Sequence, residues 1–169
     1  RALQAVHQQR DFQDRSAQVG GNRRPIVVKI LMAICIGIFA IQSMQPGVLR
    51  FLFMQFELYG PPVRDGEWWR IITSGFLHAN LIHIAFNMMA LYYIGRPLEA
   101  FQGRWRLAAY IFFSVITGNL ASLWWDPTVH SVGASGGLFG LVGAMGALVL
   151  RHHRDFPPVV RQNLKKWLV

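Results

Sequence analysis

The sequence predicts an all-α polytopic membrane protein, and three observations predict it. Of its 169 residues 53% are hydrophobic and 15% charged, and the apolar ones are gathered into membrane-length blocks. Lysine and arginine divide unequally between the two sides of those blocks when the chain is threaded through a bilayer. No series of segments alternates polar with apolar residues, as the strands of a transmembrane barrel would.

Residues 1–25 are polar, rich in Gln and Arg, and end in Gly20-Gly21-Asn22-Arg23-Arg24-Pro25. Such a composition buries no core, so the segment reads as a cytoplasmic arm. The first span is expected over Ile26 to Met44 and, having no convincing small-residue cleavage site after it, as a retained anchor. Its Cys35 is the sole cysteine, which leaves no intramolecular disulfide. The connection from Gln45 to Phe76 is too apolar for a solvated loop: Phe51, Leu52, Phe53, Met54 and Phe56 crowd its first half, before the breaker Gly60-Pro61-Pro62. It fits a segment embedded in the membrane interface, with Trp68 and Trp69 at headgroup depth.

Three more spans follow: Leu77 to Ile94, Leu107 to Trp125 and Ser131 to Leu150. Each approaches the roughly 20 residues that a helix needs to cross a bilayer. Asn163 to Val169 reads as the entry to a fifth. In the fourth, Gly133, Gly136, Gly137, Gly140, Gly143, Ala144 and Ala147 recur at helical spacing and line small residues along one stripe. No partner for that stripe is evident among the spans present, so it is expected to receive a helix from beyond Val169.

The net charge of +9 would raise nucleic acid as a partner in a soluble domain. Its placement answers otherwise. One side of the bilayer receives Arg1, Arg10, Arg15, Arg23 and Arg24, then Arg96, Arg104 and Arg106, then Arg151, Arg154, Arg161, Lys165 and Lys166; the other receives Arg50, Arg64 and Arg70. This positive-inside bias makes the N-terminus, the segment after span two and the C-terminal tail cytoplasmic. Topology alone gives an energy-coupled or organelle membrane with a basic cytoplasmic side, of which a bacterial inner membrane is the one expected. Lys29, one turn inside the first span, can snorkel to the same face.

Two features inside these spans carry chemistry. Ser135 stands in the first turn of its helix, where amide N–H groups have no intrahelical acceptor and the helix dipole favours negative charge. His83 and Asn87, four positions apart, share one face of span two, where an imidazole and an amide must face protein or water. A bundle could use all three merely as interhelical hydrogen bonds. The threading places them at similar depth near the outer side, which favours a common site. Gly133-Ala134-Ser135-Gly136-Gly137 also satisfies the G-x-S-x-G pattern of soluble hydrolases. That elbow needs a buried strand before it, and Trp124-Trp125-Asp126-Pro127 ends a span instead.

From Ile26 onward, the chain resembles the rhomboid intramembrane serine proteases. Trp69-Arg70 is similar to the family's pair in the first external loop, His78 with His83 and Asn87 to its H-x4-H-x3-N signature, and Gly133-Ala134-Ser135-Gly136 to its nucleophile motif. The resemblance implies a rhomboid-like helical bundle over residues 26–169, of four spans and the start of a fifth. It implies Ser135 as nucleophile, the Ser135 amide, His83 and Asn87 as oxyanion donors, and Trp69, Arg70 and His78 in support. Phe139 is similar to an aromatic residue that packs on the catalytic imidazole.

The family's general base is a histidine of a sixth helix, set in H-x-x-G-x-x-x-G, and none of the six histidines here matches it. His7 lies in the arm, His152 and His153 at the cytoplasmic end of span four, and His130 is the one spare candidate. The base and the helices that carry it are therefore expected beyond Val169, and the 169 residues alone are expected to be inactive. The activity implied is an endopeptidase cutting transmembrane-anchored substrates near the outer membrane face. Two alternatives are an inactive, derlin-like relative that binds and escorts membrane proteins, and a channel or transporter subunit. No metal or organic cofactor is expected, since the histidines lack a cysteine or carboxylate cluster at ligand spacing.

Overall fold

The computed structural model describes residues 25–151. The polar arm up to Arg24, His152, His153 and the expected entry to a fifth helix lie outside the described residues. Helix α1 covers Ile26–Met44, the limits read from the sequence. It stops because Gln45 turns extended and Pro46 opens a new helix, α2, over Pro46–Phe56. The rest of the connection is short pieces: α3 (Gly60–Arg64), α4 (Arg70–Thr73) and a 3-10 turn at Ser74–Phe76. The guanidinium of Arg70 binds them together. It donates to the carbonyls of Met54 and Glu57 at 2.6 and 3.1 Å, at the free C-terminal end of α2, and pairs with the Glu67 carboxylate.

The second expected span differs at both ends. Leu77 to Asn80 is not helical, because Asn80 caps α5 (Leu81–Ala90) with its side-chain oxygen, which accepts from the His83 amide at 2.8 Å. Past Ile94 the helix continues through a π-helical stretch, Leu91–Gly95, into α6 (Arg96–Gln102). Pro97 has no N–H for the carbonyl four residues back, and the helix widens just before it. Gly103, with φ 86°, breaks the chain before α7 (Arg104–Trp125), which starts three residues earlier than expected.

Helix α8 is Ser135–Arg151, so the fourth expected span is shorter at its N-terminal end. Ser131 is extended and exchanges both backbone hydrogen bonds with Leu58, at 2.9 and 3.0 Å. Gly133 lies outside the helix at φ 117°, a turn residue and not a member of the small-residue stripe. By length and composition, α1 and α7 can cross a membrane, while α8 is a shorter apolar helix.

The stripe itself has a partner, contrary to expectation. A Cβ on Gly137 would come within 2.9 Å of Val115, one on Gly118 within 3.4 Å of the Gly136 Cα, and one on Gly140 would run into Ser114. Helix α7 therefore lies backbone to backbone on the first half of α8. Nothing described lies within 4 Å of such a Cβ on Gly143 or Gly146. The spacing of the glycines was legible, but the identity of the helix that uses them was not.

A carboxylate fixes where α1 begins. Pro25 offers no side-chain cap, and Glu99 of α6, 2% exposed, instead accepts from the amides of Ile26, Val27 and Val28 at 2.8, 2.9 and 3.0 Å. Its charge complements the positive end of the helix dipole. Replacing it, as in Glu99→Gln, should cost about 1–3 kcal/mol by weakening charge-assisted bonds to buried amides. A lower unfolding temperature in detergent would register this; an unchanged one would contradict it. Val28, Leu91, Leu98, Leu107 and Leu141 pack into the core beside this joint.

Candidate active site

Three segments converge above the core: the 3-10 turn with the residues up to His78, the first turns of α5, and the turn leading into α8. Gly133 marks the meeting point. A Cβ there would stand 2.6 Å from Cε1 and 2.7 Å from Nε2 of His83, and 3.5 Å from Nδ2 of Asn87. The left-handed turn at Gly133 thus leaves the space that both side chains occupy, and Ser135 follows two residues later as the first residue of α8. The helical spacing of His83 and Asn87 points both at this turn.

The amide of Asn87 is unusual. The residue is 4% exposed, and its buried Nδ2 has no hydrogen-bond partner among the described residues. Nε2 of His78 is a second buried nitrogen without one. Nδ1–H of His78 donates to the Phe76 carbonyl at 3.3 Å, which leaves Nε2 as an acceptor, and the ring meets that of His83 edge-on at 5.3 Å. An unused buried donor costs about 1–3 kcal/mol, so its presence against the turn at Gly133, two residues before the start of α8, needs an explanation. The first-turn amides of α8 add donors without intrahelical acceptors.

Other polar residues hold this arrangement, and none was singled out in the sequence. The Gly133 amide donates to the Ser74 carbonyl at 2.9 Å. Nδ2 of Asn119, on α7, donates to the hydroxyl of Ser74 at 2.9 Å and the carbonyl of Ile71 at 2.7 Å. From α1, Gln42 exchanges two bonds with the backbone of His78, at 3.1 and 3.3 Å. A polar residue inside an otherwise apolar span was the available signal.

Trp69 and Arg70 do not enter the turn. Trp69 donates its indole N–H to the Gln55 carbonyl at 3.1 Å, and Arg70 knits α2 to α4 as described. Gly136 faces Gly118 of α7. Phe139 is 77% exposed. His130 turns toward the first loop, with Nδ1 2.7 Å from the Glu57 carboxylate and its ring stacked on Tyr59 at 4.2 Å. Between α7 and this loop, Asp126 accepts from the hydroxyl and amide of Thr128, which hold its carboxyl below the usual range.

The family model described as Rhomboid domain matches residues 65–169. The Bacillus subtilis protein named Rhomboid protease GluP is 29% identical over 170 residues, which span 97% of this chain and 32% of that protein. Putative rhomboid protease YdcA, also of B. subtilis, is 40% identical over 94 residues, 54% of this chain and 47% of its own length. Rhomboid protease AarA of Providencia stuartii is 38% identical over 118 residues, 59% of this chain and 42% of its own. The chain thus spans about a third to a half of the length of these relatives.

Proposed function

The chain belongs to the rhomboid family, and from that premise we propose that the full-length protein is an intramembrane serine endopeptidase that cuts transmembrane-anchored substrates near the outer membrane face. The observation that carries the reading is the crowding of His83 and the unpartnered Asn87 amide against Gly133, two residues from Ser135. Ser135 Oγ attacks the scissile carbonyl carbon and forms a tetrahedral adduct. The negative charge on its oxygen meets the Ser135 amide, His83 and Asn87. One such donor is typically worth about 3 kcal/mol of the barrier.

The hydroxyl proton passes to a base outside the described residues, since His130 is engaged with Glu57 and Tyr59. The same base then returns the proton to the leaving amine, and water releases the acyl group from Ser135. Trp69, Arg70 and His78 hold the first loop and the α5 entry in register. The N-terminus and the basic loops lie on the cytoplasmic side, in the inner membrane of a bacterium. The bilayer is both solvent and the medium through which substrate arrives.

Reconstituted full-length protein should convert a single-span model substrate in liposomes into two products cut near the span's outer end. Stable association with the substrate without cleavage would replace this reading by the escort function.

A further inference from the structure

A cavity of about 490 Å³ lies between α1 and α7, beneath the 3-10 turn and beside the start of α8. Val27 and Leu31 of α1, Trp105, Ala109 and Phe112 of α7, and Phe76 of the turn line it. On α7 the lining runs from Trp105 to Val115, a rise of about 15 Å, half of the roughly 30 Å hydrocarbon thickness. The cavity is as deep as one leaflet. Its apolar wall offers no set of polar partners for water, which needs two to four. Between two membrane helices the available filling is hydrocarbon.

Charge at one end narrows the choice. The Arg104 guanidinium lies over the Trp105 ring, 5.3 Å from its centroid, whereas Arg106, two positions on and so on another face of the helix, donates to the Gln102 side chain at 3.2 Å. Both belong to the basic set assigned to the cytoplasmic side by the charge asymmetry. A phosphate at that level meets the Arg104 cation beside Trp105, which lines the mouth of the apolar channel. The arm before Pro25 carries five arginines and little that a channel of this kind would take.

We propose that this cavity binds one acyl chain of an anionic phospholipid of the cytoplasmic leaflet, with the phosphate at Arg104. The chain then runs along α7 to the far end of the cavity, where Ala134 and Leu138 line it, next to Ser135. The inference rests on the orientation of the bundle and not on proteolysis, so its failure leaves the protease reading intact.

Native mass spectrometry of the full-length protein, equilibrated in mild detergent with equimolar phosphatidylglycerol and phosphatidylcholine, tests it. One retained phospholipid is expected, with phosphatidylglycerol favoured about fivefold or more, the effect of one basic side chain near a headgroup. Ala109→Trp should fill the channel and lower the adduct at least about tenfold, and Arg104→Gln should remove most of the preference while the neutral lipid still binds. If Ala109→Trp does not fold, quenching of wild-type fluorescence by brominated-chain phosphatidylglycerol decides. A quenched component that disappears in Trp105→Phe supports the site, and its absence overturns it. Equal adducts in folded Ala109→Trp, equal retention of the two lipids, or cross-linking of residues 1–24 or 152–169 to Ala109→Cys would each overturn the proposal.

Discussion

Ser135→Ala in the full-length protein is expected to cut a membrane substrate no faster than background, a loss of at least about 10³-fold. The variant removes one hydroxyl from the first residue of α8 and leaves the backbone donors and the α7 contact at Gly136 in place. Its unfolding temperature should match the wild type. This split separates chemistry from structure, because a serine used only for interhelical bonding would show the reverse: lower stability and retained turnover. Retained cleavage at wild-type stability would remove Ser135 from the mechanism.

The next largest effect should come from a residue that does no chemistry. Gly133→Val places a β-branched side chain at φ 117° and drives its Cβ to within 2.6 Å of the His83 ring. Either the imidazole leaves its position or the turn opens, and Ser135, two residues on, shifts with it. A misplacement of about 1 Å can cost about 10²-fold in rate, so kcat should fall by about 10²-fold or more, with a smaller change in KM. Gly143→Ala is the matched control, since nothing described lies within 4 Å of its Cβ. Equal activity of Gly133→Val and wild type would mean that the turn at 133 does not set the site.

Much of this was legible in the residues, and the boundary follows from physics. Local signals worked: the limits of α1 match Ile26–Met44, and an i, i+4 pair had to put His83 and Asn87 on one face. Ser135 in a first turn was likewise a local inference. Long-range partners were not legible, because a single sequence carries no record of who meets whom. Glu99 reads as an ordinary charge after a span, yet it caps a helix more than seventy residues earlier. Gln42 reads as an interruption, yet it fixes the backbone of His78.

The glycine stripe shows the same limit from the other side. Its period was correct for a close helix contact, but α7, and not a later helix, fills Gly136, Gly137 and Gly140. Gly133 shared the period by coincidence and serves a turn instead. The short elements of the first loop escaped for a third reason: Arg70 collects carbonyls of Met54 and Glu57, contacts that no hydrophobic periodicity encodes.

Ser135, His83 and Asn87 form one site only if the hydroxyl at 135 is activated where those two side chains meet. Treating the full-length protein with a fluorophosphonate probe and mapping the modified peptide by mass spectrometry tests this most directly. Label confined to Ser135, formed about tenfold or more slowly in Asn87→Ala, is the expected result. Label on any other serine, or labelling of Ser135 at an unchanged rate in Asn87→Ala, would contradict it.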